Sequence, residues 1–159
     1  MIATTTAVPL SALGTLARSA RRRRSFLGGV KDEFPSALAR HGRALEVFRY
    51  SGSLLPTVLT YLEQSRGIDL SRSMHDEMAF AISSARGSAH LILAEQHRPL
   101  ASRLDDALHS PGELTAFLNR LGRTSEGEEV GAAMLEGIRF LRRALDAVGP
   151  GTVVLLAIL

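Results

Sequence analysis

The chain contains no cysteine. That absence removes thiol nucleophiles, disulfides, zinc–thiolate sites, iron–sulfur clusters and thiolate haem ligation together. Lysine is almost missing: of the 19 basic residues only Lys31 is one, so a Schiff base or a phosphate-loop lysine has a single candidate. Val30 precedes it, where a phosphate loop needs glycine. The longest strongly apolar run, Val153–Leu159, has seven residues, against the ~20 that a membrane-spanning helix requires. Catalytic signatures are absent too: there is no G-x-S-x-G elbow, no three-glycine dinucleotide fingerprint, no Glu-x-x-His pair and no His-Glu-x-x-His. No cofactor and no metal site is expected from motifs.

What is present is a chain of 159 residues, 45% apolar and 22% charged. That suits one globular domain able to bury roughly 68–70% of its unfolded surface without staples. Charge is unevenly placed. Residues 1–31 carry Arg18, Arg21, Arg22, Arg23, Arg24 and Lys31 and no acid, whereas residues 32–159 carry 13 arginines against 16 acids. A one-sign block at a terminus reads as a flexible arm. Its Arg-rich, acid-free make-up also suits organelle targeting, the alternative to a cytoplasmic location. Arg21, Arg22, Arg23 and Arg24 could tether the domain to an anionic surface or nucleic acid.

From residue 32 the punctuation reads as helical. Pro35 opens a first helix that runs to Gly52, with Phe34, Leu38, Leu45 and Phe48 on one side. Leu54–Arg66 forms a second, closed by Gly67. Ser73-x-x-Asp76 opens a third that ends at Gly87, and a fourth spans Ala89–Arg98. Leu100–His109 is a fifth, and Ser110-Pro111-Gly112-Glu113 starts a sixth that stops at Gly122. Ser125-x-x-Glu128 opens the longest, to about Val148, with Val130, Met134, Ile138, Leu141, Leu145 and Val148 as a continuous seam.

The expected fold is therefore all-α. A single compact bundle of six or seven helices (32–149) carries a flexible basic arm (1–31) and a short apolar tail (150–159). If the seam and tail are not covered by the chain itself, Ile138, Leu141 and Leu145 offer an interface for self-association or a protein partner.

The densest ionisable set falls on the third and fourth helices. A helical hairpin about Gly87 would bring Glu77 level with His97, and a carboxylate beside an imidazole can move protons near neutral pH. His90 lies seven residues before His97, on the same helical face but about 10 Å away along the axis. A helix-turn-helix presenting His90, Gln96 and Arg98 is disfavoured by the net negative charge of residues 32–159.

Residues 35–100 resemble the alkylhydroperoxidase D/carboxymuconolactone decarboxylase-like family. The likeness rests on Leu70-Ser71-Arg72 and on the run from Glu77 through Arg86-Gly87-Ser88 to His97. Arg86-Gly87-Ser88 stands where that family has Asn-Gly-Cys, and Leu91 stands at the second cysteine. Glu95 replaces the histidine, with His97 two residues on. The resemblance implies an all-α, oligomeric fold, with thiol peroxidase activity lost along with the cysteines. Two functions follow: a non-catalytic or cysteine-independent helical protein that associates, or a small-molecule enzyme or binding protein using Glu77 and His97.

Overall fold

The two ends of the chain meet in the middle of a β-sheet. The structure, a computed structural model, describes residues 1–24, 30–122 and 127–159. In chain order the elements are β1 (Ala3–Pro9), α1 (Leu13–Ser19), β2 (Arg23–Arg24), β3 (Val30–Lys31), α2 (Phe34–His41) and β4 (Arg43–Val47). There follow α3 (Leu54–Arg66), α4 (Asp76–Arg86), β5 (Ala89–Leu93), 3-10 turns over Glu95–Leu104 and Asp106–Leu108, α5 (Pro111–Arg120), α6 (Glu128–Asp146) and β6 (Thr152–Ile158). The sheet has the order β4-β1-β6-β5, with every neighbour antiparallel, and β2 pairs with β3 in a separate two-stranded ribbon.

Helices cover both faces of the sheet. On one face Ala3, Leu93, Val154, Leu156 and Ile158 pack with Leu55, Leu62, Phe117, Ile138 and Leu141 of α3, α5 and α6. On the other, Val8, Ile92, Val153 and Leu155 meet Leu13 and Leu16 of α1, Phe34 of α2 and Ile82 of α4. The result is a three-layer α/β/α sandwich around an antiparallel sheet.

This corrects the all-α bundle, and the physical reason lies in the central strands. A strand buried on both faces loses the apolar–polar alternation that marks a half-buried one. The expected tail is β6, six of whose seven residues are buried. Much of the expected arm is equally structural: Ala3–Pro9 pairs residue for residue with Ile158–Thr152, and Leu13, Leu16 and Ala20 are fully buried.

The expected first helix stops at His41. Gly42 is extended, and a Cβ there would sit 2.6 Å from Thr6 Cγ2 and 2.8 Å from the Leu38 carbonyl. The chain can therefore turn close onto β1 and continue as β4. The expected fourth helix is β5, because Gly87, left-handed at φ +68, ends α4. A five-residue apolar run after such a stop fits either periodicity.

Side chains plug the outer edge of β5. The Ser83 hydroxyl accepts from the His90 N–H (2.9 Å), and His97 Nδ1 accepts from the Ala94 N–H (3.0 Å). At β4 the register slips between Thr5 and Thr6. That bulge lets Leu45 join the α6-side core while the next residue, Glu46, reaches Arg143 on α6. A bulged edge is a poor template for further strands.

The seam on α6 faces inward. Ile138 and Leu141 are 0% exposed and Leu145 is 1% exposed, so this corrects their assignment to an interface: they form the protein's own core. Ser125, in the expected cap of this helix, lies outside the described residues.

Candidate functional site

The acid–imidazole pair expected between Glu77 and His97 is not assembled. His97 is 2% exposed, and both ring nitrogens serve the backbone. Nδ1 accepts from the Ala94 N–H, which fixes the proton on Nε2, and that N–H donates to the Arg72 carbonyl at 2.7 Å. The imidazole thus pins the loop before α4 to the end of β5. Glu77 is an exposed residue in the first turn of α4. The third candidate, His90, is buried with Nδ1 donating to the Ser88 carbonyl at 2.9 Å and its ring edge against Phe34. Burial pushes its pKa below the ordinary imidazole value. Glu95 pairs with Arg98 on the surface (3.0 Å).

A second buried histidine relay has no motif that marks it. His109 Nε2 donates to the Arg103 carbonyl (2.9 Å), leaving Nδ1 to accept from the Tyr61 hydroxyl (3.3 Å). That hydroxyl accepts in turn from Arg66 Nε (3.0 Å), while Arg66 Nη2 donates to Glu113 and to the Leu108 carbonyl, each at 2.7 Å. Burial raises the Tyr61 pKa, against the pull of Arg66. The chain of bonds clamps α3 to the start of α5, and each donor in it has an acceptor inside the fold.

Arginines on α6 form a lattice with carboxylates. Glu136, 9% exposed, accepts from Arg143 (2.9 Å) and Arg139 (3.2 Å), with Arg49 at 3.5 Å. Arg143 also makes a two-pronged contact with Glu46, Arg139 binds Asp106 and Arg142 binds Asp105. Burial alone would raise the Glu136 pKa. Hydrogen bonds from Arg143 and Arg139 outweigh it, and the net shift is downward. Four cations meet four anions here, which is a structural arrangement. Glu136, Arg139 and Arg143, spaced three and seven apart along one helix face, are the signal that could have revealed it.

The opposite arrangement occurs where α1, β3 and α2 meet. A cavity of about 370 Å³ is lined by Thr15 and Ser19 of α1, Lys31 of β3, Asp32 and Glu33 just before α2, and Ser36, Arg40 and His41 of α2. Asp32 is held by two hydrogen bonds from Arg86 (2.7 and 2.8 Å), which lower its pKa, with Arg22 at 3.7 Å. Glu33 pairs with Lys31 at 2.6 Å. Arg21 and Arg22, two of the expected tethering arginines, are exposed beside this region; the side chains of Arg23 and Arg24 lie outside the described ones.

A separate groove is lined by Ala17, Arg18 and Arg21 with Ala81 of α4. On α4, Phe80 is 74% exposed, and Met74, just before the helix, is 77% exposed. Among the described residues no group of three or more His, Asp or Glu could hold a metal ion, and no helix is long and apolar enough to cross a membrane.

No family model, no curated protein and no solved structure matches this chain. The helical hairpin that would carry the likeness to the alkylhydroperoxidase D-like family is a helix followed by a strand.

Proposed function

We propose that the protein is a non-catalytic association module that pairs with a second copy of itself through the outer face of α4. The observation that carries this reading is the 74% exposure of Phe80 in mid-helix, with Met74 also exposed just before the helix. Burying a phenylalanine side chain is worth about 1.5–3 kcal/mol, and a helix that leaves one in water gains by covering it. The surroundings carry both signs of charge. Acidic Asp76 and Glu77 form the first turn of α4, and Arg18 and Arg21 flank the groove beside Ala81. An isologous contact through Phe80 sets the same patch of two copies face to face, so each copy brings these acids and arginines to it.

The enzymatic alternative has less to draw on, because both nitrogens of His97 are committed to the backbone. The tethering alternative rests on Arg21 and Arg22, which are exposed; the side chains of Arg23 and Arg24 lie outside the described ones. Sedimentation velocity on the full chain from 1 to 200 μM tests the association. The expected result is a monomer–dimer equilibrium in the wild type and a monomer in Phe80→Glu with an unchanged thermal melt. A wild-type monomer across the whole range contradicts the reading.

A further inference from the structure

We infer that the cavity between α1 and α2 is a binding site for the phosphoryl group of a small anionic molecule. This stands apart from the α4 face and does not depend on self-association. Three observations carry it.

The first is the chemistry of the lining. Hydroxyls, cations and the carboxylates of Asp32 and Glu33 line one space of about 370 Å³, within the range of small-ligand pockets and larger than one phosphate needs. Thr15 and Ser19 stand four apart on α1, and Ser36 and Arg40 four apart on α2, so each wall presents its pair on a single helix face.

The second is that most donors there lack acceptors, Ser19 excepted, whose hydroxyl donates to the Leu16 carbonyl at 2.9 Å. Ser36, Arg40 and His41 make no side-chain hydrogen bond or ion pair with the described residues. Thr15 Oγ1 accepts from Arg18 at 3.1 Å, which leaves its own proton to donate. A guanidinium with hydroxyls around it matches the tetrahedral oxygens of a phosphoryl group.

The third is charge. Both carboxylates in the lining are already matched, Asp32 by Arg86 and Arg22, and Glu33 by Lys31. Arg40 is then left without a counter-charge among the described residues, and Asp32 faces two arginines, so positive charge is in local excess. The surrounding field therefore favours an anion entering. Glu33 competes with that anion for Lys31, which makes the site tunable in both directions.

A free phosphorylated metabolite and a lipid headgroup share this chemistry, and two arms separate them. Inorganic pyrophosphate is titrated into the full chain by calorimetry at 50 and 150 mM salt. Phosphatidylcholine vesicles containing phosphatidic acid are tested by co-sedimentation. The expected result is saturable 1:1 pyrophosphate binding, weakened five- to tenfold by Arg40→Gln and by Lys31→Gln and tightened about threefold by Glu33→Gln. An increase in affinity cannot come from misfolding. Vesicle binding that depends on Arg40, without pyrophosphate binding, assigns the site to a headgroup and supports the same chemistry. Absence of both, or binding indifferent to Arg40, Lys31 and Glu33, overturns the proposal.

Discussion

Two groups of arginines in this protein differ in almost every respect except residue type. On α6, Arg139, Arg142 and Arg143 each bond to a carboxylate. Beside α1 and α2, Arg40 has no partner among the described residues, and Arg18 donates to a neutral hydroxyl. The first group locks helix, loop and strand together: Glu46 belongs to β4, and Asp105 and Asp106 to the 3-10 segment. The second leaves charge uncompensated, Arg40 in the cavity between α1 and α2 and Arg18 in the groove beside Ala81. The difference teaches that an arginine's role is set by whether the fold supplies its counter-ion, a property that composition does not report.

The most disruptive way to separate the groups acts through Gly131. A Cβ at this position would lie 2.0 Å from the Pro111 carbonyl oxygen and 2.4 Å from Thr115 Oγ1, so α5 and α6 approach there with no room for a methyl group. Gly131→Ala must push the helices apart and should cost about 3 kcal/mol or more, read as a fall in the midpoint of urea unfolding. The paired cluster loosens with α6, while the cavity between α1 and α2 keeps its walls.

A smaller loss is expected from Glu136→Gln, which leaves Arg139 and Arg143 without their shared carboxylate. It should destabilise by about 2 kcal/mol. Its pH dependence has a definite sign. The Glu136 pKa is lowered in the folded state from an ordinary value of 4.5, so its contribution is complete above that value and is lost as pH falls through the folded one. The stability of Glu136→Gln should therefore fall less steeply than that of the wild type below about pH 4.5.

Arg66→Gln is expected to cost about 1–2 kcal/mol by releasing Glu113 and the Tyr61 hydroxyl. The faint end of the scale is Arg40→Gln, which should alter stability by less than about 0.5 kcal/mol. A large destabilisation by Arg40→Gln would erase the contrast between the clusters.

Three helix ends were readable from single residues. Gly67 and Gly87 take left-handed conformations after α3 and α4, and the Ser110 hydroxyl accepts from the Glu113 N–H at the start of α5, as its spacing predicts. The strands were hidden for separate reasons. β6 is apolar on both faces, β1 is built from small threonines and alanines, β4 is bulged, and β5 is too short to show a period.

The basic block at Arg21–Arg24 was visible as charge. The cavity residues Thr15, Ser36 and Arg40 were not, because a hydroxyl four residues from another polar group is ordinary on any helix surface. The expected Glu77–His97 pair failed with the hairpin that was to build it: once β5 replaced the fourth helix, His97 fell where it caps a strand edge.

The contrast between the two clusters can be read directly from the arginine Nε–H signals of the folded protein by NMR, with and without pyrophosphate. The Nε–H groups of Arg139 and Arg143, each bonded to a carboxylate, should exchange slowly with water and stay unmoved by the anion. That of Arg40 should exchange fast and shift on titration. Equal protection of all three, or a response confined to Arg143, would contradict the account.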